Sequence, residues 1–162
     1  MVLVSGALTV LAVPACSGQS DPAPESTSSS ATKVLAQYRK LWAETIPAAT
    51  AAAVGERKAI LAATLTDPEL TRALQRLTDL DGKGQRSYGA DVPLRQTVTV
   101  QGADTAVVTG CLDSTQSGVA DRQTGRKLTR GVATNPVSVT FKRGSDGVWR
   151  VTTTRFPGTR RC

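Results

Sequence analysis

The chain has 162 residues, which suits one domain, and only two each of Trp, Tyr and Phe, so its core must consist mainly of Leu, Val, Ile and Ala. The formal net charge is +7, and a basic surface favours polyanions such as anionic lipid headgroups, wall polymers or nucleic acid. No histidine is present. Its absence excludes Ser-His-Asp and Cys-His catalysis and most zinc sites, because these use an imidazole as base or ligand.

The first feature in chain order is an apolar run, VLVSGALTVLAV (2–13), that leads to Cys16. These 12 residues are too few to span a bilayer comfortably and suit the apolar region of a signal peptide. The sequence Val13-Pro14-Ala15-Cys16 resembles the lipobox of bacterial lipoproteins, with an aliphatic residue three positions before the cysteine and a small residue directly before it. The resemblance implies cleavage before Cys16 and a diacylglyceryl group on its thiol.

Two further observations bear on this interpretation. No Lys or Arg precedes Cys16, so either the Met1 amino group supplies the positive charge of the signal or the natural start lies upstream. The tract SGQSDPAPESTSSSAT (17–32) contains no large apolar residue and cannot pack, which argues against the alternative of a buried N-terminal strand with a chance thiol. We therefore expect a signal peptide at 1–15, a lipid-bearing cysteine with a flexible tether at 16–32, and a folded domain at 33–162.

Three helices are predicted after residue 33. The first has an apolar stripe at helical spacing, formed by Val34, Leu35, Tyr38, Leu41 and Trp42. Pro47 should bend or end this helix, and the Ala-rich stretch 48–54 could continue it. A second helix is expected at 56–66. A third starts at TDPEL (66–70), where Asp67 can cap and Pro68 suits the first turn, and it ends near 81–84.

From about residue 90 the apolar residues alternate, which predicts strands at 94–101, 105–112, 126–132, 136–143 and 148–155. Turns are expected at 102–104, at DRQTG (121–125) and at GSDG (144–147). Helices followed by an antiparallel meander predict an α+β domain in which N-terminal helices pack on one face of a curved sheet.

This order resembles the nuclear transport factor 2-like cone, also called the SnoaL-like or cystatin-like fold. More narrowly, residues 33–162 are similar to small exported lipoproteins of actinobacteria that carry such a domain. The resemblance depends on QYRKLW (37–42), GCLDST (110–115), DRQTG (121–125) and the final Cys162. It implies a pocket between the helices and the sheet.

With Cys16 assigned to the lipid, Cys111 and Cys162 form an even pair, and an exported protein favours a disulfide between them. Two free thiols, or an intermolecular bridge through Cys162, are the alternatives. An intramolecular bridge would tie the C-terminal tail to the sheet.

Four residues are candidates for the pocket. Asp113 would be its polar centre, with Tyr38, Trp42 and Arg95 as lining. For each, a structural interpretation is simpler: Asp113 suits a turn, while Tyr38 and Trp42 at i and i+4 suit a core. Enzymes of this fold use His with Asp for proton transfer, and this chain has no His, so we predict a protein that is not an enzyme. No nucleotide, calcium or metal motif is present, and no cofactor is expected.

A predicted basic surface includes Arg126, Lys127, Arg130, Arg155, Arg160 and Arg161. Near a membrane it could meet anionic lipid or wall polymer, whereas nucleic acid is not expected because no recognition motif is present. The sequence thus predicts a membrane-anchored extracytoplasmic lipoprotein that acts as a non-catalytic binding or interaction module with an unknown protein partner. The alternatives are a small-molecule-binding or weakly catalytic pocket protein of the same fold, and a mobile-element surface protein affecting phage entry or DNA transfer.

Overall fold

The computed structural model describes residues 26–158 and residue 162. In this part of the chain four α-helices precede the strands, and a π-turn joins the first two. The segments are α1 (Thr27–Lys40), the π-turn (Leu41–Thr45), α2 (Ile46–Ala51), α3 (Arg57–Ala62) and α4 (Glu69–Gly82). None of the described helices is long and apolar enough to cross a membrane. The predicted signal peptide and Cys16 lie outside the described residues.

The strands of the same part follow the helices. They are β1 (Gln85–Tyr88), β2 (Val92–Gln101), β3 (Thr105–Asp113), β4 (Gly118–Asp121), β5 (Asn135–Arg143) and β6 (Trp149–Arg155). Four of them form an antiparallel sheet in the order β2-β3-β5-β6, and β1 pairs with β4 in a separate two-stranded ribbon. The predicted α+β class is confirmed, as are the turns at 102–104 and 144–147, which connect β2 to β3 and β5 to β6.

Helix α1 begins at Thr27, earlier than the predicted domain start at residue 33. The Ser26 hydroxyl accepts a hydrogen bond from the Ser29 N–H at 3.3 Å, which satisfies one donor of the first turn. Ser30, Val34 and Tyr38 then follow at helical spacing and are buried. The last residues of the predicted tether are therefore helical, because Ser30 is small enough to pack within the core-facing row that Val34 continues.

The predicted bend near Pro47 takes the form of the π-turn. Proline has no N–H and cannot bond to the carbonyl four residues earlier in an α-helix. The chain forms a wider turn before it, in which the Ile46 N–H donates to the Leu41 carbonyl, and Pro47 then lies in the first turn of α2. The helical direction is thereby continued through α2.

The β2–β3 ladder contains an irregularity between Leu94 and Thr97, and Arg95 there has a positive φ of 46°. Gly110 lies opposite, and a Cβ at that position would stand 2.7 Å from the Arg95 carbonyl oxygen. A glycine is needed in β3 because the bulged backbone approaches so closely. Bulges of this kind bend a strand, which helps the sheet to curve around the helices.

The predicted strand at 126–132 is wrong. This segment is irregular, and a single bridge joins Lys127 to Ala120. Its Leu128 and Thr129 N–H groups both donate to the Val119 carbonyl, and its Gly131 N–H donates to the Ser117 carbonyl. These bonds do not form a continuous ladder. The turn at 121–125 is confirmed, since Asp121 accepts a hydrogen bond from the Thr124 N–H at 2.7 Å. Strands β1 and β4 were not predicted, because four residues are too few to show alternation.

The core lies between the helices and the four-stranded sheet. Its fully buried side chains come from α1, the π-turn and α3 on one side and from the sheet on the other, and they include Val34, Tyr38, Leu41, Leu61, Val108, Leu112, Val139, Phe141, Trp149 and Val151. The alternation of buried residues along β3 and β5 places these side chains on the helix side of the sheet.

Candidate functional site

An apolar cavity of about 200 Å³ lies among the helices, next to the end of β6. Most of its wall is aliphatic or aromatic, formed by Leu41, Trp42, Ile46, Leu61, Leu65, Ala73, Leu77, Leu80 and Phe156. The hydroxyls of Thr50, Ser87 and Thr154 and the charged groups of Glu69 and Arg76 complete it. Such a wall suits an apolar ligand that is oriented by a few polar contacts.

Local sequence patterns place these side chains. Helix α4 presents Ala73, Leu77 and Leu80 at spacings of four and three, so that all three occupy one helix face. Trp42 lies in the π-turn and is 7% exposed. Phe156 directly follows β6 and is 44% exposed, which places it at the opening of the cavity.

Three aromatic rings form a row beside the cavity. Tyr38 and Trp42 meet edge to face at 6.2 Å, and Trp42 meets Phe156 in the same way at 6.3 Å. Within the described residues, neither the Tyr38 hydroxyl nor the Trp42 N–H has a hydrogen-bond partner. Burial raises the pKa of Tyr38 to about 12. This hydroxyl therefore stays protonated at neutral pH and cannot serve as a base.

Glu69 is the charged group deepest in the cavity wall, with 2% exposure. Its two carboxylate oxygens accept hydrogen bonds from Arg76 at 2.8 Å and Arg72 at 3.0 Å, and the Thr154 N–H donates to it at 3.3 Å. Both oxygens of this carboxylate are therefore already occupied by guanidinium groups. Glu69 was not among the candidate site residues predicted from the sequence, although Arg72 and Arg76 at i+3 and i+7 were a readable signal.

The structure brings together only two of the four predicted pocket residues. Tyr38 and Trp42 are in contact, and Trp42 lines the cavity while Tyr38 lies fully inside the core. Arg95 is placed elsewhere. It lies on the bulge of β2, exposed, and its Nη1 donates to the Cys162 carbonyl at 3.0 Å.

Asp113 also lies away from the cavity wall. Its Oδ1 accepts hydrogen bonds from the Thr115 N–H at 2.9 Å and the Thr115 hydroxyl at 2.7 Å. These two bonds lower the pKa of Asp113 below its usual value, and the bond from the Thr115 backbone N–H has the larger effect. A carboxylate that bonds two residues ahead forms a turn, which is the simpler of the two interpretations of Asp113, and Asp113 is not among the described residues that line the cavity.

The predicted disulfide is present. Cys111 and Cys162 are joined, with a Cα–Cα distance of 5.9 Å and a sequence separation of 51. The bond ties the end of the chain to β3, beside the Arg95 bulge. The alternatives of free thiols and of an intermolecular bridge do not apply to this arrangement.

The predicted basic surface is divided. Arg126, Lys127 and Arg130 lie together in the irregular segment after β4, whereas Arg155 ends β6 opposite Ser138. Arg160 and Arg161 lie outside the described residues. Within the described part of the chain, no group of three Cys, Asp or Glu is arranged to hold a metal ion.

No protein-family model matches the chain. No curated protein matches it either.

Among solved structures, the chain is similar to the intermembrane space region of the chloroplast protein ARC6, with a TM-score of 0.58 and 16% identity over 82% of this chain and 98% of that one. At this identity the likeness shows a shared fold alone. A candidate ketosteroid isomerase from Shewanella frigidimarina gives a TM-score of 0.37 at 15% identity over 79% and 94% of the two chains. A de novo designed β-sheet protein gives 0.34 at 17% identity over 82% and 90%. Scores this low do not support a fold assignment.

Proposed function

We propose that this protein is a non-catalytic binding module of the cell envelope, held outside the membrane by a lipid on Cys16. The observation that carries the proposal is the composition of the cavity. Among its described lining residues Glu69 is the only carboxylate, and two arginines and a backbone N–H already occupy it. The remaining wall offers apolar surface, which binds rather than reacts.

The absence of an available base supports a non-catalytic role. A hydroxyl of Thr50, Ser87 or Thr154 would need a neighbouring base to act as a nucleophile. The chain has no histidine to supply one, and the pKa of the nearby Tyr38 is raised to about 12 by burial. Proton transfer near neutral pH needs a group whose pKa lies near that pH.

Two features support the extracytoplasmic address. The Val13-Pro14-Ala15-Cys16 sequence resembles a lipobox, and the Cys111–Cys162 bond is of the kind that persists in oxidising compartments. The domain that contains this disulfide is basic. Residues 33–162 carry a net charge of +9, from all 20 Lys and Arg and 11 of the 13 acidic residues. Such a domain is attracted to the anionic envelope surface.

The element order supports assigning the domain to the nuclear transport factor 2-like class. Helices α1 to α4 precede the strands, and the sheet β2-β3-β5-β6 is an antiparallel meander with a bulge in its β2–β3 ladder. The cavity lies between these helices and β6, which is where a cone-type fold would hold a ligand.

The cavity gives the proposal a direct test. Small apolar ligands such as short alkanes or fatty alcohols should raise the unfolding temperature of the protein. Ala73→Leu should fill part of the cavity and remove that response, because Ala73 lies in its wall with 4% exposure. The matched control is Ala59→Leu, at an exposed position of α3, which should keep the full response.

The measurement is the shift in melting temperature with ligand concentration for the three proteins. A shift that Ala73→Leu abolishes and Ala59→Leu preserves supports binding in the cavity. Equal responses in all three would place binding elsewhere. No response, with co-purification of an envelope protein, would instead favour an interaction module that does not use the cavity.

A further inference from the structure

Residues 126–132, here named the basic loop, combine three cations with two exposed aliphatic side chains. The cations are Arg126, Lys127 and Arg130, all exposed. Leu128 is 39% and Val132 57% exposed. Among the described residues none of the three cations forms an ion pair with a carboxylate. Three cations and two exposed aliphatic side chains thus lie within one segment of seven residues.

The backbone of the basic loop is fixed, although it forms no strand. The N–H groups of Leu128 and Thr129 both donate to the Val119 carbonyl, at 2.8 and 3.0 Å. The Gly131 N–H donates to the Ser117 carbonyl at 2.9 Å. The loop therefore needs no reordering when it binds, and a preorganised surface loses less conformational entropy on binding than a mobile one.

The cationic side chains are also held in place. The Lys127 ammonium lies 4.7 Å from the centre of the Tyr88 ring, and the Tyr88 hydroxyl donates to the Thr129 carbonyl at 2.9 Å. Arg130 donates from Nε to the Thr115 carbonyl at 3.2 Å, which leaves its two terminal NH₂ groups for another acceptor. Lys127, Leu128 and Arg130 line one shallow crevice of about 370 Å³.

We propose that the basic loop docks the domain on a bilayer surface, where its cations take the phosphates of anionic lipids and Leu128 and Val132 enter the interface. Segments that lie in a membrane interface combine Lys and Arg with aliphatic or aromatic side chains, and anionic headgroups attract cations close to the surface. A soluble polyanion would pair with the cations alone and leave both aliphatic side chains in water. The bilayer is therefore the occupant that fits all five side chains.

This inference rests on the proposed address for its setting. Between Cys16 and Thr27 the chain can span at most about 40 Å when extended. A domain of this size is about 35 Å across. The extended anchor is thus about as long as the domain is wide, which lets the domain turn more than one face to the membrane, and the basic loop would select which face does.

The test uses the mature chain, residues 16–162 with Cys16→Ala, oxidised, so that neither the apolar run 2–13 nor a lipid anchor contributes. Its partition onto vesicles of phosphatidylcholine is compared with that onto vesicles containing phosphatidylglycerol by sedimentation. The charge variant is Arg126→Gln/Lys127→Gln/Arg130→Gln. The matched control removes three exposed cations elsewhere, Lys40→Gln/Lys58→Gln/Arg155→Gln. The apolar variant is Leu128→Ser/Val132→Ser.

We expect the parent to prefer the anionic vesicles, the charge variant to lose at least about tenfold in partition, and the control to lose less than twofold. The apolar variant should lose severalfold. A control that falls as far as the charge variant would show diffuse attraction and overturn the proposal. If the partition of the apolar variant were the same as that of the parent, or if this variant bound a soluble polyphosphate as tightly as vesicles, the result would contradict the bilayer and favour a polymer.

A conservative variant, Arg126→Lys/Lys127→Arg/Arg130→Lys, distinguishes the loss of headgroup contacts from a folding defect. It keeps the charge and should retain the parent's partition if the cations act on headgroups. Loss in this variant, with an unchanged melting temperature, would contradict the proposal. Because every protein in the series lacks the anchor, failure here leaves lipid attachment at Cys16 to be judged separately.

Discussion

The apolar cavity and the basic loop treat charge in opposite ways. In the cavity wall the Glu69 carboxylate is 2% exposed and accepts hydrogen bonds from two arginines and the Thr154 N–H. In the basic loop three exposed cations have no carboxylate partner among the described residues. One region neutralises its charge internally, and the other leaves its charge for an external partner.

This difference shows which kind of occupant suits each region. A neutralised carboxylate supports the fold and leaves an apolar space beside it, so the cavity suits a ligand without polar demands. Exposed cations that form no ion pair cost little and gain when an anionic surface approaches. The two regions therefore suit different occupants, and substitutions should affect them separately.

The largest expected effect is at the Cys111–Cys162 bond. The bond joins Cys162 to Cys111 in β3. Cys162 lies six residues after Phe156, which lines the cavity. Closing a loop of 51 residues stabilises the fold by about 4 kcal/mol in the chain-entropy model. We expect Cys111→Ser/Cys162→Ser to lower the free energy of unfolding by about that amount in urea titrations.

The matched control for this loss is Cys16→Ser, which removes a thiol outside the described domain. It should leave the unfolding free energy of the domain unchanged. If Cys16→Ser were as destabilising as the double variant, the disulfide would not be the source of the effect.

The next largest effect is expected at Glu69, in the cavity wall, and it should change stability without changing the basic loop. Glu69→Ala should lower the free energy of unfolding by about 1–2 kcal/mol, because the Thr154 N–H loses its buried acceptor, while Arg72 and Arg76, whose side chains are 52% and 58% exposed, return to water. Asp79→Ala removes an exposed carboxylate from the same helix and should change stability by no more than about 0.5 kcal/mol. Urea unfolding at neutral pH checks both.

Vesicle binding by the folded Glu69→Ala protein adds to the comparison. Partition onto phosphatidylglycerol vesicles should match that of the parent, since Glu69 makes no contact with residues 126–132. A Glu69 variant as stable as the parent would contradict the role assigned to this carboxylate.

The sequence predicted the parts of the fold that local pattern controls. The 3.6-residue period located α1 and the π-turn, and the alternation located β2, β3, β5 and β6 close to their observed bounds. The pairing of Cys111 with Cys162 was predicted because the lipobox resemblance assigned Cys16 to a lipid, which left an even pair in an exported protein. The ribbon of β1 and β4 could not be predicted, because its pairing joins short segments 30 residues apart whose partners depend on the finished fold.

The candidate site was less predictable for a physical reason. Trp42 was predicted correctly as a lining residue because it lies on the apolar stripe of the predicted first helix. Asp113 was misplaced because a polar residue at a strand end suits a site and a turn equally, and only its bonds to Thr115 distinguish them. Residues 126–132 have the alternation of a strand, yet their hydrogen bonds to Val119 and Ser117 form no ladder.

The intact mass of the protein purified from membranes of a host that processes lipoproteins tests the central claim most directly. The account predicts a chain of residues 16–162 that carries a diacylglyceryl group on Cys16 and is two hydrogens lighter because Cys111 and Cys162 are joined. Cys16→Ala should abolish both the cleavage and the added mass. A protein that keeps residues 1–15, carries no lipid and has three reduced thiols would contradict the account.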